Sequence, residues 1–379
     1  MTVRAAVPRP AGPPCPRTLL RAAEFFAGIG LARLGLRAAG VEVVWANDVD
    51  PDKAAMYAGH FGDTSAHFEL GDIGAVIGAQ LPELDLAWAS FPCTDLSLAG
   101  NRDGLSGRQS GAFWEFTRVL DEMGARRPRV VAVENVVGLA TSHRGADLAS
   151  AIRDLNRIGY SVDALTIDAR RFVPQSRPRL FLVGAMDPPA DAADPVSELR
   201  PEWLQGPYRD SSLRTHRAEL PNPPELLPGG FGDIVQTEGV QWWDQGHRQR
   251  FLDSLSDVQA ERLNVLRGQR RVSYRTAYRR TRNGVAVWEI RPDDIAGCLR
   301  TARGGSSKQA VVKAGRGEVE VRWMTPLEYA RLQGAGDFNI DGVRPSQAVS
   351  GFGDAVCVPV VAWLTEHYLA PLIKGELGS

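Results

Sequence analysis

The chain has 379 residues, 44% of them hydrophobic and 23% charged, with 44 Lys plus Arg against 45 Asp plus Glu. That length predicts two or three domains, or one large domain carrying an insertion, and the composition is ordinary for a soluble globular enzyme. The net charge of −1 gives no global nucleic-acid signal, so any such signal has to be local.

Residues 1–17 are rich in Pro and Ala and lack a signal-peptide core, which predicts a disordered leader. From residue 19 to 184, strand-like apolar runs alternate with helix-like patterns. A run at 19–25 leads into a glycine turn, and 31–39 reads as a helix ending at Gly40. The second strand, 41–46, ends at Asn47-Asp48, and Pro51 starts a helix that runs to Phe61. Further strands are expected at 84–90, 130–133 and 179–184. This alternation predicts an α/β fold with a parallel sheet covered on both faces. Residues 186–245 are rich in Pro and Gly with little periodicity, whereas residues 248–303 hold 13 Lys plus Arg against 6 Asp plus Glu. Periodicity resumes at Trp323, and 356–368 reads as a helix. The expected organisation is a catalytic α/β domain, 18–186 and 346–379, interrupted by a smaller, basic, irregular domain at 187–345.

The four cysteines, Cys15, Cys93, Cys298 and Cys357, form no C-x-x-C pair, which argues against zinc or a disulfide framework and for a reducing, cytosolic setting. No run of 18 apolar residues appears, so no membrane span is expected. The six histidines are scattered and read as ordinary surface or core residues.

Phe26-Ala27-Gly28-Ile29-Gly30, followed by Leu31, sits between a strand and a helix, where glycines let backbone amides approach a ligand. Such a turn can also be a plain tight connection. Asp48 ends the next strand 20 residues beyond Gly28, the offset at which an acidic residue meets a ribose hydroxyl. Asp72, in Gly71-Asp72-Ile73, is placed to accept from an adenine amino group or to serve as a simple turn aspartate. Position 33 is Arg, so the third glycine of a pyrophosphate-binding turn is missing, which favours S-adenosylmethionine over a nicotinamide dinucleotide.

The buried strand at 84–90 runs into Phe91-Pro92-Cys93. A cysteine at the carboxyl end of a sheet strand lies where doubly wound folds bind ligands; the alternative is a structural thiol in the core. Gly100, Gly104, Gly107 and Gly111 follow, which predicts a loop able to act as a lid. Glu134 follows a fully apolar strand and is a candidate for a raised pKa, or for capping the next helix. Arg177 and Arg179 alternate before the strand at 179–184, so one can face a cleft while the other braces it, unless both form surface ion pairs.

The order of these motifs resembles the DNA cytosine-5 methyltransferase family. Phe26 to Gly30 is similar to its first motif, Asn47-Asp48 and Gly71-Asp72-Ile73 to its second and third. Phe91-Pro92-Cys93 resembles its catalytic Pro-Cys, Glu134-Asn135-Val136 its Glu-Asn-Val, and Pro174-Gln175-x-Arg177-x-Arg179 its Gln-x-Arg-x-Arg. Thr325 to Gly334 resembles the ninth motif and Gly353-Asp354-Ala355-Val356 the tenth. The resemblance implies a Rossmann-like S-adenosylmethionine-dependent methyltransferase sheet with a target-recognition domain. It implies Cys93 as nucleophile, Glu134 as donor to ring nitrogen 3, and Arg179 ahead of Arg177 at the exocyclic oxygen. It implies cofactor contacts from Phe26 to Leu31, Asp48, Asp72, Ile73, Pro92, Asp354 and Ala355. Two positions depart from the family: Thr94 stands where Gln is usual, and Asp354 where Asn is usual. A carboxylate at 354 would pair with the ammonium of the cofactor's amino-acid moiety but repel its carboxylate; ordinary S-adenosylmethionine remains the expectation.

Double-stranded DNA is the implied partner, with the base flipped out of the stack. Arg275 and Arg279, on a stretch mixing Tyr and Arg, read as a groove-facing DNA surface or as a solvated basic face, with Ser97 in the closing loop and Arg303, Gly304 and Gly305 expected at base edges. A monomer in the bacterial cytoplasm, associated with the nucleoid, and a separate cognate restriction endonuclease are further implications. The rivals are a transfer-RNA cytosine-5 methyltransferase, a non-catalytic DNA-binding module and, more distantly, a dehydrogenase.

Overall fold

The computed structural model describes residues 19–62, 64–92, 111–282, 284–301 and 308–377. The expected leader, Cys93, Ser97, Arg303, Gly304 and Gly305 lie outside the described residues.

Seven strands form the main sheet: β1 (Leu20–Phe25), β2 (Val41–Asp48), β3 (Phe68–Leu70), β4 (Leu86–Ala89), β5 (Val130–Val136), β6 (Ser161–Asp168) and β7 (Pro178–Ala185). Their spatial order is β3-β2-β1-β4-β5-β7-β6. The winding reverses between β1 and β4, so a crevice opens at the carboxyl ends of those two strands. Neighbours from β3 to β5 are parallel, but β7 is antiparallel to both β5 and β6. The expected parallel sheet thus holds from β3 to β5, and β7 departs from it. Residues 169–177, between β6 and β7, are too few for a parallel crossover, which takes roughly a dozen residues or more.

Between the strands run α1 (Leu31–Ala38), α2 (Pro51–Phe61), α3 (Gly111–Glu122), α4 (Gly138–Thr141) and α5 (Ala146–Arg157). Helix α2 starts where the sequence places it because Pro51 cannot donate and the Asp50 side chain takes the amides of Asp52 and Lys53 at 2.9 and 3.3 Å. One face of the sheet buries Phe113, Phe116, Leu120, Leu148 and Ile152 from α3 and α5. The other buries Leu36 and Met56 together with the carboxyl-terminal helices. The sheet is therefore covered on both faces, as its apolar strands require.

After β7 the chain makes only short helical turns, α6 (Gly206–Arg209) and α7 (Phe231–Ile234), as the low periodicity suggested. The basic stretch is more regular than its composition indicated. It contains α8 (Gln245–Asp253), α9 (Asp257–Arg267) and a four-stranded antiparallel sheet of β8 (Ser273–Arg282), β9 (Val285–Ile290), β10 (Gln309–Gly315) and β11 (Glu318–Trp323), in the order β11-β10-β8-β9. Phe251, Leu263, Ala277, Trp288, Val312 and Val321 form its own core. Leu299, Val311 and Met324 join the core of the main sheet instead, so the two sheets share packing.

Helix α10 (Pro326–Leu332) begins with a reciprocal cap between Thr325 and Glu328. Next come α11 (Pro345–Asp354), α12 (Val358–Leu364), a π-helical turn over Thr365–Leu369, and α13 (Ala370–Lys374). The run Pro345–Lys374 is long and apolar enough to cross a membrane by length and composition, but 67% of its most apolar window is buried inside the fold. Its Val361 and Leu364 pack in the main core.

Candidate active site

The chain turns out of β1 through Phe26, whose φ of 56° lies in the left-handed region that a bulky residue seldom adopts. Gly28 and Gly30 follow at φ 57° and 84°. The Gly28 amide donates to Asp48 Oδ2 at 2.7 Å, and the Asp50 amide to Asp48 Oδ1 at 2.8 Å. Asp48 therefore sits against the glycine turn with each carboxylate oxygen holding one backbone amide. Asn47 Nδ2 donates to the carbonyls of Glu69 and Gly71 at 2.8 and 3.0 Å, which sets the end of β2 beside Asp72. Asp72 is exposed, and its Oδ1 caps a turn through the Gly74 amide at 2.7 Å. Next to Asp48 in the chain, Val49 is 65% exposed, an apolar surface outside the recognised motifs. Ile29, Leu31 and Ile73 point their side chains into the cores, so only their backbone is available to a ligand. Glycine turn, acidic oxygens and an apolar face together suit a nucleoside cofactor without phosphates.

Asp354 does not present a bare charge. Lys53 Nζ lies 2.9 Å from its Oδ2, and Thr301 donates to Oδ1. Burial works against the Lys53 charge, but Asp354, Asp48 and Asp50 outweigh it and hold its pKa above the usual value.

On the other side of the crevice, β5 and β7 pair so that Glu134 faces Phe181 and Val136 faces Arg179. Arg179 Nε lies 3.0 Å from Glu134 Oε1, with both side chains largely enclosed. The two arginines divide as alternation suggested. Arg177, 2% exposed, braces the site: Nη1 donates to the Leu299 carbonyl at 2.9 Å, and Nη2 to the carbonyls of Gly353 and Ala355 at 3.2 and 2.7 Å. Asn135 Nδ2 donates to the Phe91 carbonyl at 3.1 Å and so anchors the segment ending at Pro92, beside β5. Gln175 takes the Leu299 amide at 3.0 Å and donates to the Leu332 carbonyl at 2.7 Å. Asn135 and Gln175 lie inside recognised motifs, but their anchoring work shows only in three dimensions. The half-buried Cys298 was not singled out. Burial alone would raise its thiol pKa, but Arg177, Arg179 and Arg300 reverse that and hold it below the ordinary value.

In the basic region, Arg275 is half-buried and its Nη1 lies 3.5 Å from Asp294. This expected DNA contact therefore has an acidic neighbour, itself partly exposed. Arg279 is half-buried opposite Trp288 in the β8–β9 pair. Arg280 is exposed, 5.1 Å from the Tyr278 ring and 3.1 Å from Glu289.

The fold is that of a Rossmann-like methyltransferase. S. pombe Dnmt2 methyltransferase superposes with a TM-score of 0.56 at 17% identity, over 93% of this chain and 99% of that one. A putative DNA modification methyltransferase encoded within an E. coli prophage gives 0.54 at 17% identity, over 94% and 99%. Identities that low speak for the fold alone. The model of the C-5 cytosine-specific DNA methylase family matches residues 20–369, and the chain belongs to that family. Among its relatives, Type II methyltransferase M1.ScrFI of Lactococcus lactis subsp. cremoris is 26% identical over 355 residues, 93% of this chain and 79% of that protein. M.NlaX of Neisseria lactamica is 26% identical over 92% and 96%. The family's methyl transfer depends on S-adenosylmethionine.

Proposed function

We propose that the chain methylates carbon 5 of cytosine within a specific double-stranded DNA sequence, with Cys93 as nucleophile. The observation that carries this reading is the Glu134–Arg179 pair, 3.0 Å apart, held next to the segment that leads into Pro92 and Cys93. Relatives named Type II methyltransferases support DNA as substrate.

The Phe26–Gly30 turn, Asp48, Val49 and Asp72 would hold S-adenosylmethionine, which would supply the methyl group and leave as S-adenosylhomocysteine. Carbon 5 of cytosine is a poor nucleophile. The Cys93 thiolate adds to carbon 6, and the ring electrons shift so that carbon 5 becomes enamine-like. Glu134 holds a proton at ring nitrogen 3, and Arg179 donates to the exocyclic oxygen, so charge does not build up on the ring. Once carbon 5 is methylated, its proton is lost to a base, and the carbon 6–sulfur bond breaks to regenerate the thiolate. Arg177 takes no part in the ring chemistry; it keeps Gly353 and Ala355 against the site. The target base is flipped out of the duplex, which costs a few kcal/mol. The small antiparallel domain grips the DNA. A monomer in the bacterial cytoplasm, protecting DNA from a separate cognate endonuclease or serving phage defence, fits the relatives.

Bisulfite sequencing of DNA and RNA from cells expressing the protein tests this. New 5-methylcytosine at one DNA sequence is expected, and none with Cys93→Ser. Methylation confined to transfer RNA would move the substrate to RNA. Methylation retained by Cys93→Ser would defeat the nucleophile assignment.

A further inference from the structure

No step above uses Cys298. Its backbone is fixed on both sides: Gln309 Nε2 donates to the carbonyls of Gly297 and Cys298 at 2.9 and 3.3 Å, and Leu299 is held by Gln175 and Arg177. The sulfur therefore cannot drift far. It lies 3.3 Å from Arg177 Nη1 and 3.8 Å from Arg179 Nη2. The other two nitrogens of Arg179 meet Glu134 Oε1 at 3.0 Å and the Pro178 carbonyl at 2.9 Å. The plane of the Arg179 guanidinium is thus set from three directions, and Cys298 supplies one of them.

We propose that Cys298 is a positioning residue of the methyl transfer, its sulfur bridging Arg177 to Arg179 so that the Arg179 guanidinium is aimed at the substrate ring. This rests on the cytosine methyltransferase reading above. The choice of sulfur matters. A carboxylate in that place would bind Arg179 in a tight ion pair and withhold it from substrate. An alkyl side chain would remove this contact to Nη2. A thiol or thiolate is a weak acceptor that orients the donor yet releases it when the exocyclic oxygen of the base arrives. The same sulfur joins Arg179 to Arg177, which grips the carbonyls of Gly353 and Ala355 at the end of α11. The ring-facing arginine and the end of α11 are thereby linked through one atom.

The test uses full-length protein and an oligonucleotide duplex carrying the sequence that bisulfite mapping identifies. Cys298→Ala should lower kcat about ten-fold, the scale of one charge-assisted hydrogen bond, with KM for DNA and affinity for S-adenosylhomocysteine unchanged. Cys298→Ser, which keeps an acceptor, should recover kcat to within about three-fold of wild type. In an Arg179→Lys background the Cys298→Ala substitution should add nothing, because its effect runs through Arg179. A Cys298→Ala protein as fast as wild type, a loss that serine does not recover, or equal losses in both backgrounds would overturn the inference while leaving the methyltransferase reading intact. Wild-type protein that methylates no nucleic acid would remove both together.

Discussion

Glu24 lies in β1 directly before the glycine turn, 1% exposed, with Oε2 lacking a hydrogen-bond partner among the described residues. Burial is the main cause that lifts its pKa to about 8, against the pull of the Arg33 amide and charge. In the unfolded chain the group titrates near its ordinary 4.5. The folded form therefore binds a proton that the unfolded form has released between those two values. Stability from this group is complete below pH 4.5 and falls by about 1.4 kcal/mol per pH unit until the pH passes 8. Urea midpoints between pH 5 and pH 8 should decline in wild type and decline less in Glu24→Gln; parallel declines would refute a buried protonated Glu24. At this scale the sequence disclosed chemistry by motif and little else. Glu134 and Arg179 were legible because each ends or opens an apolar strand in a recognised pattern. Cys298 was not, because a single thiol 119 residues from Arg179 carries no local signal of its neighbours.

Secondary structure with its own punctuation was read well. Helix α2 matches the expectation from Pro51 to Phe61 because its cap and first residue are written in the sequence. The direction of β7 was not legible: an apolar strand buried on both faces looks the same read either way, and only the short preceding connection decides. Strand β8, Ser-Tyr-Arg-Thr-Ala-Tyr-Arg-Arg-Thr-Arg, was read as charge rather than as a strand, since one residue, Ala277, marks its inner face in the small core. The packing of α1 on α12 gives a prediction with an inverted sign. Alanine in place of glycine normally steadies a helix by about 0.5–1 kcal/mol. At Gly35 a Cβ would stand 2.5 Å from Val361 Cβ and 2.8 Å from the Val358 carbonyl oxygen, so the two helices would have to part. Gly35→Ala should therefore destabilise the protein by about 1–3 kcal/mol in chemical denaturation, as overpacked cores do. A gain in stability would contradict this packing.

Across the molecule, a buried ion pair fastens the insert to the main sheet. Asp163 on β6 receives Arg200 through Nε at 2.8 Å and Nη2 at 2.5 Å, with Tyr208 at 2.6 Å and Tyr368 at 2.8 Å. Burial would raise the Asp163 pKa, but Arg200 outweighs it and keeps the carboxylate ionised. Arg322 and Glu328, enclosed at 2.6 and 2.8 Å, tie β11 to α10 within the insert itself. Neither pairing was visible in the sequence: Arg200 lies in a stretch without periodicity, and no local pattern marks Arg322 as the partner of Glu328. The combined frame places the glycine turn, the Phe91–Pro92 segment and the Glu134–Arg179 pair around one crevice. What it exists to do is most directly tested by trapping. A duplex carrying 5-fluorocytosine at the target position, incubated with the protein and S-adenosylmethionine, should yield a covalent complex whose peptide map places the DNA on Cys93. A folded protein that binds S-adenosylhomocysteine yet forms no such complex, or one whose adduct maps to another residue, would contradict the assigned chemistry.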